Sequence, residues 1–161
     1  MTAFLSLAAS ACTTSTGLLE EIVTAAAPQP AHDERDRECM ARAMYFESHR
    51  SSREGLIAVG SVVMNRVESE DFPDTVCEVV AQKNQFAQGI MTRRMDEKSL
   101  PDVMAAADAV LGGERHPDVG KARFFHQAGL TFSYSNMHYV LEAGGNAFYE
   151  RRSRAERRSR D

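Results

Sequence analysis

The run Gly55-Leu-Ile-Ala-Val-Gly-Ser-Val-Val-Met-Asn-Arg-Val67 constrains the fold more than any other part of the chain. Apolar residues fall on nearly every side of the helix it would form, so other elements must wrap that helix on most of its surface. Ser51-Ser-Arg-Glu54 precedes it in the pattern of a capping box, with Ser51 at the N-cap and Glu54 three residues on. Gly60, in the middle, costs about 1 kcal/mol of helix propensity, which predicts a neighbour packed tightly against it. Glu54 is therefore assigned to capping and not to chemistry.

The elements around this helix follow from periodicity and punctuation. Residues 34–48 form a helix in which Cys39, Ala43, Met44 and Glu47 recur at spacings of three and four and share one face. Thr75–Ala81 forms a short third helix after the turn Asp71-Phe-Pro-Asp74. Lys83–Gly89 lacks a period and is a surface loop of the kind that carries function. Ser99-Leu-Pro-Asp102 opens a fourth helix, which Gly112-Gly113 ends. After Pro117 the period shortens: Ala122–His126 and His138–Ala143 are strand-like, and Gly144-Gly-Asn146 supplies the positive-φ positions of a tight hairpin into Ala147–Glu150. A mostly helical core followed by a small antiparallel β element is an α+β arrangement.

The 161 residues suffice for one domain with a core, which begins near Asp33. Residues 1–12, Met1-Thr-Ala-Phe-Leu-Ser-Leu-Ala-Ala-Ser-Ala-Cys12, have the form of the end of a secretory signal, with Ala9-Ser-Ala-Cys12 similar to a lipobox. Cys12 would then carry a lipid anchor, and residues 13–33, rich in Ala and Pro, would be a flexible linker. Export places the protein in the periplasm or cell envelope and permits a Cys39–Cys77 disulfide; without export the two are buried thiols. The folded domain spans 34–150, and the Arg-rich tail 151–161 is expected to be disordered. A net charge of −4 and 7% aromatic content argue against nucleic acid as a partner. No apolar run approaches the roughly 20 residues of a membrane span.

Glu47 is the residue on which chemistry centres. At the end of an apolar helical stripe its ionised form is poorly solvated, so it can stay protonated near neutral pH, which a general acid for glycosidic cleavage requires. Gln85 and Phe86, on the irregular loop, offer an amide and a ring to a sugar. Phe125 and His126 end a strand, and Tyr139 and Asn146 belong to the hairpin, the expected far wall of a cleft. The histidines lack the paired spacing of a zinc site, and no metal or other cofactor is expected.

Met40-Ala-Arg-Ala-Met-Tyr-Phe-Glu47, Glu54-Gly55, Ala58–Val67, Phe72-Pro-Asp-Thr-Val-Cys77, Asn84-Gln-Phe86 and Ala122-Arg-Phe-Phe-His126 together resemble the SleB/CwlJ cell wall hydrolase family over about residues 36–150. The resemblance implies a lysozyme-like α+β fold, peptidoglycan glycan strands as substrate, and Glu47 as the catalytic glutamate. The segment after it departs from the family: Glu-Ala-Arg-Gly-Glu is here Glu47-Ser-His-Arg-Ser51, without the second acid. The chain also lacks the Trp often found between the late strands. Ordinary glycoside hydrolysis needs two carboxylates, and one compelling candidate is present. A lytic transglycosylase needs no second one, because the C6 hydroxyl of N-acetylmuramic acid serves as nucleophile and 1,6-anhydromuramoyl ends result. The alternatives are a muramidase using Asp71 or Glu142 as the second group, and a catalytically silent lipoprotein that binds peptidoglycan.

Overall fold

The computed structural model describes residues 32–49 and 52–159; the expected signal, the linker and Cys12 lie outside them. Four helices come first: α1 (Glu34–Glu47), α2 (Arg53–Val67), α3 (Val76–Ala81) and α4 (Leu100–Leu111). A three-stranded antiparallel sheet follows, built from β1 (Phe124–Gln127), β2 (Met137–Ala143) and β3 (Asn146–Arg151) in the order β1-β3-β2, and then a short helix α5 (Arg154–Arg158). The fold is α+β, with a helical core and a small C-terminal sheet.

Helix α2 is the centre of the core, as its all-round apolar pattern requires. Ala58, Val59, Val62 and Val63 are fully buried, and α1, α3 and α4 each pack against it. A Cβ placed on Gly60 would collide with Met44 Cε of α1 and lie 3.1 Å from Val110 Cγ2 of α4. The cost of that glycine is thus offset by the close approach of two helices. Arg37 on α1 adds a bidentate pair to Asp108 on α4 at the surface.

Cys39 of α1 and Cys77 of α3 form a disulfide with Cα atoms 5.2 Å apart. The bond closes a loop of 38 residues. Replacing both cysteines by serine is expected to lower stability by about 3–4 kcal/mol through the freed chain entropy. Urea unfolding of the oxidised and doubly substituted proteins measures this; equal midpoints would contradict it.

Three local expectations are corrected. The N-cap of α2 is Ser52, not Ser51: its side chain accepts from Gly55 N, and a glycine at that third position has no side chain to reciprocate. Glu54 sits instead in the first turn, where the helix dipole favours it, and faces His116 Nε2 at 3.4 Å. In the hairpin the positive φ angles are confined to Gly144 (+56°) and Gly145 (+82°), and Asn146 already pairs with Ala143 as the first residue of β3. Two left-handed residues make the two-residue turn whose twist suits antiparallel strands. The Arg-rich tail does not lack structure throughout: Ser153 caps the N-terminus of α5 and Glu156 bonds back to Ser153 N at 2.6 Å. A reciprocal capping box fixes the first turn even in so charged a segment.

The sheet presents two unlike faces because side chains alternate along each strand. Phe125 and Phe148 turn toward the helices, where Phe148 is fully buried in the core. Phe124, His126, Tyr139 and Tyr149 form the other face, with Phe124 and Tyr139 both opposite Tyr149. A bulge at Val140 separates Tyr139 from Leu141 in their pairing to β3, so Val140 and Leu141 both pack against the core.

Candidate active site

Glu47 is the last residue of α1, and two segments distant in sequence fix it there through three hydrogen bonds. Its carboxylate Oε1 accepts a hydrogen bond from Ala87 N at 2.5 Å. Its backbone carbonyl accepts from Asn146 Nδ2 at 2.6 Å, and His49 N, two residues on, donates to Gly144 O at 2.9 Å. The hairpin thus closes over the C-terminal end of the helix. It comes close enough that a Cβ on Gly55 would lie 2.5 Å from Gly144 Cα, and one on Gly145 would collide with the His49 ring.

The loop between α3 and α4 hangs from the same helix. Arg42 Nη1 donates to the carbonyls of Ile90 and Arg93, at 3.1 and 2.8 Å, and Tyr45 Oη accepts from Asp96 N at 2.8 Å. Asn84 takes φ +63°, a left-handed conformation that asparagine tolerates better than most residues. Two residues later Phe86 packs inward on Phe125, 6.3 Å between centroids, and Ala87 presents its N–H to Glu47. The loop and the end of α3 surround a cavity of about 500 Å³ that has Phe86 and Ala87, but not Glu47 itself, in its wall.

Burial raises the pKa of Glu47 above the ordinary carboxyl range. The Ala87 hydrogen bond and the positive charges of Arg66 and Arg93 pull the other way and are outweighed. Both charged groups acting on it are cationic. Arg66 is itself buried at 2% exposure, and desolvation brings its guanidinium down to about 10. It lies between the rings of Phe72 (5.2 Å) and Phe86 (5.0 Å), with Nε donating to Arg123 O and Nη1 buried without a hydrogen-bond partner among the described residues. Arg93 covers the ring of Phe46 at 4.4 Å. A carboxyl group in this setting can release a proton to a substrate oxygen and be stabilised as an anion afterwards.

The expected site residues divide between two places. Glu47, Phe86, Phe125 and Asn146 belong to one neighbourhood, on the helix-facing side of the sheet. There Asn146 is buried and committed to the Glu47 carbonyl, so it positions the acid. Phe86 and Phe125 pack together beneath the loop, and Gln85 stands exposed two residues before Ala87. His126 and Tyr139 lie on the other face of the sheet, bonded to one another at 2.9 Å. Asp71 is exposed and paired with Arg123 at 2.8 Å, and Glu142 is exposed on β2 opposite Ala147. Sequence reasoning passes over Arg66 and the Ala87 N–H. An arginine inside an otherwise apolar buried helix is the available signal for Arg66; a backbone donor leaves none.

Comparison with known proteins bears on the family and the fold. The sequence model of the family described as Cell Wall Hydrolase matches residues 50–149, a segment that starts just past Glu47. A spore cortex-lytic enzyme of Oceanobacillus iheyensis is 38% identical over 78 residues, 47% of this chain and 28% of that protein. A spore cortex-lytic enzyme of Bacillus cereus is 38% identical over 55 residues, 34% of this chain and 21% of that protein. The matched parts thus span only about a quarter of the length of these relatives. Among solved structures, the catalytic domain of the Bacillus cereus SleB protein superposes with a TM-score of 0.59 at 26% identity, covering 75% of this chain and 94% of that one. The catalytic domain of the germination-specific lytic transglycosylase SleB from Bacillus anthracis gives 0.58 at 26%, covering 76% and 100%.

Proposed function

This chain belongs to the cell wall hydrolase family, and from that premise we propose that it cleaves the glycan strand of peptidoglycan as a lytic transglycosylase, with Glu47 as its acid and base. The observation that carries the reading is the setting of Glu47: seated on the Ala87 N–H, its pKa raised by burial above the ordinary carboxyl range, and accompanied among the described residues by the cations Arg66 and Arg93. An inverting or retaining hydrolase places two carboxylates around the scissile bond. A single acid suffices where the substrate brings its own nucleophile.

Protonated Glu47 donates to the glycosidic oxygen between N-acetylmuramic acid and N-acetylglucosamine. As the bond breaks, the carboxylate it leaves takes the proton of the muramoyl C6 hydroxyl, whose oxygen attacks the anomeric carbon. The acetamido carbonyl of the same sugar helps stabilise the cationic centre. A 1,6-anhydromuramoyl end forms, water is not consumed, and Glu47 is again protonated. Arg66, Arg93 and the Ala87 N–H lower the cost of the carboxylate that exists between the two transfers. The protein acts outside the cytoplasm, in the periplasm or envelope, with Cys12 as its lipid attachment.

Mass analysis of purified sacculi after digestion tests this reading. Anhydromuramoyl fragments, lighter than their hydrated counterparts by the mass of one water, are expected. Reducing muramoyl ends in their place would make the enzyme a muramidase and would require a second group, with Asp71 and Glu142 the first to replace.

A further inference from the structure

The large apolar side chains standing well out in solvent among the described residues are Leu130, Phe132, Tyr134 and Tyr139. Isolated exposed apolar residues are ordinary on a protein surface. Here all four fall in the connection from β1 to β2 and the start of β2. That connection is tied at both ends, by Ala128 N to Gly145 O and by Arg152 N to Asn136 O, each at 2.9 Å. A surface segment of this composition needs a reason to stay uncovered.

These residues border a cavity of about 420 Å³ on the sheet face turned away from the helices, lined by His126, Phe132, Tyr134, Asn136, Tyr149 and Arg151, among others. Its volume is within the range of about 300–1,000 Å³ typical of small-ligand sites. The rings are mutually ordered. Phe132 and Tyr134 are nearly parallel, 17° apart with centroids at 6.3 Å, and Phe132 meets His126 edge-on at 4.7 Å. His126 Nε2 is bonded to Tyr139 Oη at 2.9 Å, and Arg151 lies over the Phe124 ring at 4.3 Å. Flat aromatic faces suit the C–H face of a pyranose. Both ring nitrogens of His126 are engaged, Nδ1 with Gln127 O at 2.8 Å and Nε2 with Tyr139, so the Asn136 amide and the Arg151 guanidinium are left to bond ring hydroxyls and an acetamido group. The presence of Asn136 and Arg151 in the wall distinguishes the cavity from a purely apolar patch.

We propose that this cavity is a second glycan-holding site, for N-acetylhexosamine units, on the sheet face opposite to the one that contacts Glu47 through Asn146. It rests on the reading of the protein as a glycan-strand enzyme, and it explains why His126 and Tyr139 stand apart from the acid. The site would hold one stretch of the strand while another lies at Glu47.

Calorimetric titration of the full chain carrying Glu47→Gln with tetra-N-acetylchitotetraose tests it. Adding Phe132→Ala and Tyr134→Ala, both at exposed positions, is expected to weaken binding at least tenfold. Tyr134→Phe, which keeps the ring, is expected to bind within twofold of the parent. Equal affinity of parent and double variant, or no binding by the parent, overturns the proposal. So does loss by the double variant of binding to vesicles of anionic phospholipid with tetrasaccharide binding intact. Failure of the functional reading shows separately, as sacculi left uncut by the unsubstituted protein whatever the titrations give.

Discussion

Glu47→Gln is expected to reduce release of fragments from sacculi by about 10²–10⁴-fold, the usual contribution of a positioned general acid and base. The amide still accepts the Ala87 hydrogen bond, so the fold and sacculus binding persist. Stability supplies a second readout with a definite sign. Glu47 is raised above its unfolded pKa by burial. Between the unfolded and folded values the native state binds more protons than the unfolded chain, and stability falls as pH rises through that interval. The amide of the variant has no charge to bury. The substituted protein should match the parent in acid and exceed it in thermal midpoint at neutral pH. A variant that cleaves normally would remove Glu47 from the mechanism. A parent that binds sacculi without cutting them would make the protein a wall-binding module.

Gly144→Ala is expected to be the most disruptive single methyl group in the chain. Gly144 has φ +56°, and a Cβ there would lie 2.7 Å from Gly55 Cα, a backbone atom at the start of α2. Neither the left-handed conformation nor the contact can be relieved by turning a side chain. A loss of about 3–5 kcal/mol is expected, in the range reserved for overpacking combined with backbone strain. Activity should fall even where the protein stays folded, because Gly144 O receives His49 N and the same turn carries Asn146 to the Glu47 carbonyl. Chemical denaturation and turnover of the folded fraction separate the two effects. An unchanged midpoint would mean that the hairpin does not press on α2.

The helical part of the fold is legible because its signals are local. The all-round apolar pattern of α2, the stripe on α1 and the period change after Pro117 each lie within one segment, and all three elements exist. The cap at Ser52, one residue from the expected one, shows the grain of such reading: adjacent serines offer the same chemistry, and geometry chooses between them. Helix α5 is hidden because the charged composition of the tail outweighs the Ser153–Glu156 box within it. The acid is legible as a poorly solvated carboxylate, whereas its partners are not. Ala87, Asn146 and Arg66 are brought to it by tertiary packing, and no pattern near residue 47 names them. Likewise His126 and Tyr139 carry the right chemical types, but strand alternation puts them on the face away from Phe125, which only the pairing register reveals.

The bond from Asn146 to the Glu47 carbonyl joins positions 99 residues apart, and the bond from Ala87 to its carboxylate spans 40. Contacts so distant along a chain form late, since the intervening length must be ordered before they are gained. As the polypeptide is made from its amino end, the acid is complete in covalent terms long before it is seated. A ribosome-bound or half-threaded chain therefore carries the glutamate without its setting, and a wall-cutting protein matures only once its last strands have arrived.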